Sequence, residues 1–337
     1  MHPRHLTGSL RALAGVGAIA LVLAACSVAT SVSQPSGGGG PSAAAAKPPF
    51  IPQIISSESV VGPSRFVFGI LDPSATRTVA SPDLKISVAF TPVGGSTSAP
   101  GGSPAVPIAA APATFIWAIQ GERGIYVIEP TFPSAGHWDA AFSTDGGTIQ
   151  PPSPAGSPAA TALTIPVATV TVNFDVKQTG SAVPVGGKAP ATKTPTATTP
   201  DGIARIATDP NPDPSFYTTS VDEALAKHEP FVLVFATPAF CTSRQCGPTL
   251  DAIKAVAKSE PGIVFINVEP YQLQYVGGHL EPILDANNQL QPTDVVRAWG
   301  ILSEPWAFVV DRDGVVRASF ETVVSPDELK AAIAAVR

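Results

Sequence analysis

Phe231-Val-Leu-Val-Phe-Ala-Thr-Pro-Ala-Phe-Cys241-Thr-Ser-Arg-Gln-Cys246-Gly-Pro248 is the one stretch of the 337 residues where several reactive groups converge. An apolar, β-branched run ends in a loop with two cysteines, and a helix-start signal follows. The run reads as a buried strand. Pro248 suits the first position of a helix, with Gly247 as its cap. Leu250, Ile253, Val256 and Ala257 then recur at helical spacing. On one continuous helix, residues five apart have Cα atoms about 8.6 Å apart. A disulfide tolerates about 7 Å at most. Cys241 and Cys246 therefore bridge only if residues 241 to 246 form a loop ahead of the helix. A helix N-terminus favours a thiolate, the reactive form of cysteine, and Arg244 pushes the same way.

Working outward, the C-terminal part alternates β and α signals. Ser220-Val-Asp-Glu223 and Ser325-Pro-Asp-Glu328 have the spacing of capping boxes. Ile263 to Val268 reads as a second buried strand. A long irregular stretch follows, from Glu269 to Pro292, and then a short helix to Trp299. Trp306 to Asp311 and Val315 to Phe320 read as strands joined by Arg312-Asp-Gly314. From Pro48 to Val176 the signals are β instead. Phe66, Phe68 and Ile70 alternate, as do Leu84, Ile86, Val88 and Phe90, and Val170, Val172, Phe174 and Val176. With runs at 114–119, 124–128 and 137–142, about seven short strands predict a β-sandwich of immunoglobulin-like type. Pro92 to Pro112 reads as a disordered loop within it. His137 beside Trp138 reads as an exposed neighbour of a buried strand tryptophan, since no second ligand lies nearby in sequence. The sandwich is expected to serve as a spacer or partner-docking unit.

The ends and joints are compositional. Arg4 and Arg11 precede an apolar run from Ala12 to Ala25, too short to span a bilayer with ease. It closes as Leu23-Ala-Ala-Cys26, which resembles a bacterial lipobox, so Cys26 is the expected lipidation site. The predicted organisation is a signal peptide at 1–26, a flexible tether at 27–47, the sandwich at 48–176, a Pro/Thr/Gly linker at 177–202 and an α/β domain at 203–337. With Cys26 lipidated, Cys241 and Cys246 are left as a pair, and outside the cytoplasm such a pair can hold a disulfide. The net charge of −6 and the lack of a basic run argue against nucleic acid as a partner.

The order of elements over 203–337, with the cysteines after the first central strand, resembles the thioredoxin-like superfamily. Ser303-Glu304-Pro305 leading into Trp306 looks like that superfamily's cis-proline and closing hairpin, and cis peptides are essentially confined to proline. Together with the lipobox, the resemblance implies a membrane-anchored, extracytoplasmic thiol–disulfide oxidoreductase acting on protein thiols and disulfides. Cys241 and Cys246 would be its catalytic pair, Pro305 would shape the cleft, and Phe240 and Trp306 would contact the partner. No cofactor and no metal is expected. Four residues separate the cysteines here, against the two usual in thioredoxins. That spacing resembles peroxiredoxin Q, but Thr237 stands four rather than three residues before Cys241 and Leu233 occupies the expected proline position. Sco-type copper handling needs a distant histidine, for which His279 is the candidate, and a zinc site lacks ligands. The alternative is a redox-silent binding protein with a structural bridge. A loop this small gains roughly 2–3 kcal/mol or less from closure entropy.

Overall fold

Trp138, Ala140 and Phe142 take alternate positions of one long strand, and all three are fully buried. They sit near the centre of the N-terminal half in the computed structural model, which describes residues 47–94, 106–153 and 156–337. The expected targeting segment, Cys26, the expected tether up to Ala46 and residues 95–105 of the expected disordered loop lie outside the described residues. The N-terminal strands are β1 (Ile51–Ile54), β2 (Phe66–Leu71), β3 (Ile86–Pro92), β4 (Ile108–Pro112), β5 (Thr114–Ile119), β6 (Arg123–Ile128), β7 (Gly136–Thr144) and β8 (Ala168–Lys177). One sheet runs β1-β2-β6-β5. The other runs from the short strand Ser59–Val60 through β8-β7-β3-β4. Strand β7 pairs antiparallel with β8 from Gly136↔Val176 to Thr144↔Ala168, and with β3 from Trp138↔Pro92 to Thr144↔Ile86.

The two sheets share a core rich in aromatic rings. Phe66 meets Phe90 edge-on at 5.2 Å and Phe68 meets Phe142 at 4.8 Å between centroids. His137 is exposed beside the buried Trp138 and pairs with Asp175 across the strands. The strand alternation is thus read correctly on the inner face. On β2, however, the outer-facing Val67 is also buried, at 1% exposure.

The C-terminal half has a four-stranded sheet. Its elements in order are α1 (Val221–Ala226), β9 (Phe231–Phe235), α2 (Cys246–Ala257), β10 (Val264–Val268), the hairpin β11 (Leu273–Val276) and β12 (His279–Pro282), α3 (Asp294–Trp299), β13 (Trp306–Val310), β14 (Val316–Glu321) and α4 (Pro326–Ala334). The sheet order is β10-β9-β13-β14, with β9 parallel to β10 and antiparallel to β13. Strand β9 is buried throughout, as its unbroken apolar run predicts. Val232, Val234, Ala307 and Val309 pack with α2 and α4 on one face. Phe231, Leu233, Phe235, Trp306 and Phe308 pack with α1 and α3 on the other. The Ser325/Glu328 capping box closes the start of α4, with Pro326 in its first turn.

Residues 178–199 hold no helix or strand, but they are bonded along their length. Val183 N–H donates to Trp299 O, and Gly186 N–H donates to Val316 O while Val316 N–H returns a bond to Gly187 O. Ala189 N–H donates to Gly314 O, and Lys188 bridges Val315. The segment thereby satisfies the open edge of β14, which would otherwise present unpaired backbone groups. Ala182, Val183 and Ala189 also pack on the α1/α3 face of the core.

The halves meet directly. Val323 is buried among Val67, Ile116, Ala118, Ile125 and Val127 from the outer face of the first sheet. The Arg65 guanidinium donates to the Glu328 carboxylate at 3.0 Å, to Val323 O at 2.8 Å and to Glu321 O at 3.3 Å. Ser57 N–H lies 3.0 Å from both oxygens of Glu321. Lys47 to Arg337 accordingly cluster as a single body.

Candidate functional site

After Ala236 the chain leaves β9, turns through Thr237 to Phe240 and reaches Cys241, which is half-buried. Arg244 takes a left-handed backbone at φ 60°, a costly conformation for a residue with a side chain. It turns the chain so that Cys246, with no exposed surface, becomes the first residue of α2. The helix therefore begins two residues before Pro248, and Gln245, not Gly247, stands before its first turn. Pro248 falls at the third helical position, where its missing N–H costs no internal bond. The two cysteines are joined as a disulfide with Cα atoms 6.0 Å apart, within the usual range. The bridge spans loop and helix end, as the spacing requires.

The pair is asymmetric. Cys241 Sγ accepts the Cys246 N–H at 3.2 Å and lies 3.2 Å from Ser243 Oγ. One of the free amides at the start of α2 is thus aimed at the more exposed sulfur. The position of Cys246 nearer the helix start makes it a rival nucleophile by dipole alone. Its burial removes it from reach.

Facing the sulfurs is the turn before β13. The Glu304–Pro305 peptide is cis, as the sequence predicts, and Pro305 is buried. The Glu304 carboxylate and both sulfurs lie within 4.8 Å of one another. Burial pushes the Glu304 carboxyl above its ordinary range, and the Tyr271 hydroxyl, which donates to Oε2 at 2.5 Å, works against that rise. No local sequence pattern marks either residue. Glu304 was legible only as part of Ser-Glu-Pro, and Tyr271 opens the irregular stretch that forms the β11–β12 hairpin.

Trp306 is a correction. It is 6% exposed, donates from Nε1 to Ser319 Oγ at 2.8 Å and packs with Phe308 on the face opposite the cysteines. Directly paired residues share a face, and Trp306 pairs with Phe235 on that far side. It is not part of the cleft. Phe240 stays in the turn beside Cys241 and is half-buried. His279 is exposed on β12, pairs with Glu281 at 3.0 Å and does not belong to the cluster around the sulfurs. Thr237 is fully buried and, among the described residues, its hydroxyl has no hydrogen-bond partner, so it bonds neither sulfur.

Two further groups flank the loop. Glu269, at the end of β10, is buried. Its Oε1 accepts from Thr208 N–H at 2.6 Å and from Thr208 Oγ1 at 2.7 Å, while Oε2 has no partner among the described residues. Burial pushes its carboxyl up to about 7, against the lowering effect of Thr237 and Thr208. The Thr237 hydroxyl lies close to this carboxylate without meeting ordinary hydrogen-bond geometry. From the N-terminal half, Ala118 O accepts Gln245 Nε2 at 2.6 Å, and Arg123 donates to Ser243 O at 3.1 Å. The β5–β6 turn therefore grips the cysteine loop from outside. A groove of about 600 Å³ lies between β5, β6 and the start of α4, with Phe115, Trp117 and Asp327 among its lining, and neither Cys241 nor Cys246 lines it.

No protein-family model matches the chain, and neither a curated protein nor a solved structure does.

Proposed function

We propose that this protein is a membrane-anchored, extracytoplasmic thiol–disulfide oxidoreductase, with an immunoglobulin-like sandwich joined to a thioredoxin-like domain. Its lipid anchor would be Cys26, and its substrates would be protein thiols and disulfides. The observation that carries the reading is the unequal cysteine pair. Cys241 is partly exposed and faces an amide of the α2 N-terminus, while Cys246 is sealed beneath it. That is the arrangement exchange needs. Cys241 thiolate attacks one sulfur of a partner disulfide and expels the other as a thiolate. Cys246, as its thiolate, then attacks Cys241 Sγ, which closes the internal bridge and releases the partner's second sulfur. Two electrons and two protons pass from the protein to the partner. Pro305 shapes the rim beside the sulfurs, and Phe240 offers the apolar contact.

The reduction potential of the pair tests this reading. A value between about −120 and −270 mV is expected of a working exchange protein. Cys246→Ser is expected to trap a mixed disulfide through Cys241, and Cys241→Ser to trap none. The second reading is a redox-silent binding protein, and the grip of Ala118 and Arg123 on the cysteine loop favours it. A potential below about −300 mV, with no trapped adduct, would establish that reading instead.

A further inference from the structure

We propose that Cys241, Cys246 and Glu304 form, once the disulfide is reduced, a three-ligand site for a zinc-type divalent cation. This rests on the reading above, in that the bridge must open. One potential ligand atom from each residue already lies within 4.8 Å of the others. Zinc takes thiolate at about 2.3 Å and carboxylate at about 2.0–2.2 Å in tetrahedral array. Two ligand atoms on one such ion sit about 3.6–3.8 Å apart by that geometry. Breaking the sulfur–sulfur bond lets the two sulfurs separate toward this spacing by side-chain rotation, and the carboxylate is already at hand.

The surroundings fit a ligand set. The Tyr271 hydroxyl bonded to Glu304 Oε2 is the kind of outer partner that fixes a ligating carboxylate. Cys241 Sγ is held by the Cys246 amide and neighbours Ser243 Oγ. As two thiolates and a carboxylate these ligands would repel one another, and a divalent cation offsets that repulsion. The donor mixture also selects. Two thiolates alone satisfy Cu(I), and calcium or magnesium want oxygen throughout, whereas zinc accepts sulfur and oxygen together. The half-exposed side of Cys241 leaves a fourth position for water. Oxidation empties the site. The zinc dithiolate and a partner disulfide, with two protons, give the internal disulfide, two partner thiols and the free cation.

The test titrates the full chain in detergent with zinc against a chromophoric chelator, before and after reduction by a phosphine. The reduced protein is expected to take up one equivalent and to protect both thiols from alkylation, while the oxidised protein takes up none. Glu304→Gln, which keeps the shape, is expected to weaken binding at least tenfold, and Tyr271→Phe about tenfold. Reduction without stoichiometric zinc uptake would overturn this inference alone, as would undiminished binding by Glu304→Gln, which would mean a two-thiolate chelate. A native disulfide that resists reduction would overturn the exchange reading together with this one.

Discussion

Glu269 is a buried acid with one oxygen satisfied and one bare, and its effect on stability has a definite sign. Its folded-state pKa, about 7, lies above the ordinary carboxyl value of 4.5. The folded chain therefore holds a proton that the unfolded chain has lost between these limits. Its contribution is fully present below about pH 4.5 and falls away as pH rises to about 7, by an amount on the order of 3 kcal/mol. Glu269→Gln keeps the shape and the Thr208 contacts and removes the titration. Urea unfolding at pH 5 and pH 8 is expected to show a smaller drop for the variant than for the parent. An equal drop in both would mean that Glu269 is ionised in the fold at pH 5.

At this same scale, the sequence shows why some site residues were legible and others were not. Cys241, Cys246 and Pro305 declare themselves by type, because only cysteine bridges and only proline is routinely cis. Glu304 and Glu269 are ordinary carboxylates in sequence. What sets them apart is what the fold stacks against them, and no local pattern encodes that. Trp306 was misplaced for a related reason. Its distance along the chain from Pro305 is known, but its face depends on the β9/β13 register.

At the scale of elements, the regular pieces follow from apolar periodicity and capping, while the joining segment does not. Proline, glycine and threonine between 178 and 200 report the lack of helix or strand, not the lack of order. The order comes from backbone bonds to the edge of β14 and from α3. Gly300 shows the coupling. It ends α3 in a left-handed conformation at φ 66°, and a Cβ there would overlap the Ser181 carbonyl oxygen. Gly300→Ala carries roughly 1–3 kcal/mol of backbone strain, and it must also push the 181–183 segment off the helix. The expected result is a lower denaturant midpoint and faster proteolysis within 178–200. A variant as stable and as resistant as the parent would mean that the segment is not docked on α3.

For the molecule as a whole, the outer face of the first sheet decides whether there are two bodies or one. Phe66, Phe68, Ile70 and Tyr126 face the inner core, but the intervening Val67, Ile125 and Val127 are apolar as well, which is the pattern of strands covered on both sides. The second cover is the 321–328 segment, with Val323 as its apolar contact and Arg65 reaching across to three acceptors. A sheet that alternated strictly would have left the halves free to move on their linker. Because Gln245 and Ser243 are bonded to the same sheet, separation of the halves would also release the cysteine loop. The parent is therefore expected to unfold from both halves in one transition. Val323→Asp puts an unpaired charge into this interface, at a cost of several kcal/mol. It is expected to split the transition in two and to speed alkylation of the reduced Cys241. Tryptophan fluorescence and far-ultraviolet circular dichroism, followed together through a denaturant titration, read the first effect. Coincident curves for Val323→Asp, with an unchanged alkylation rate, would mean that the joining segment 178–200 alone holds the halves together and that the sheet has no hold on the cysteines.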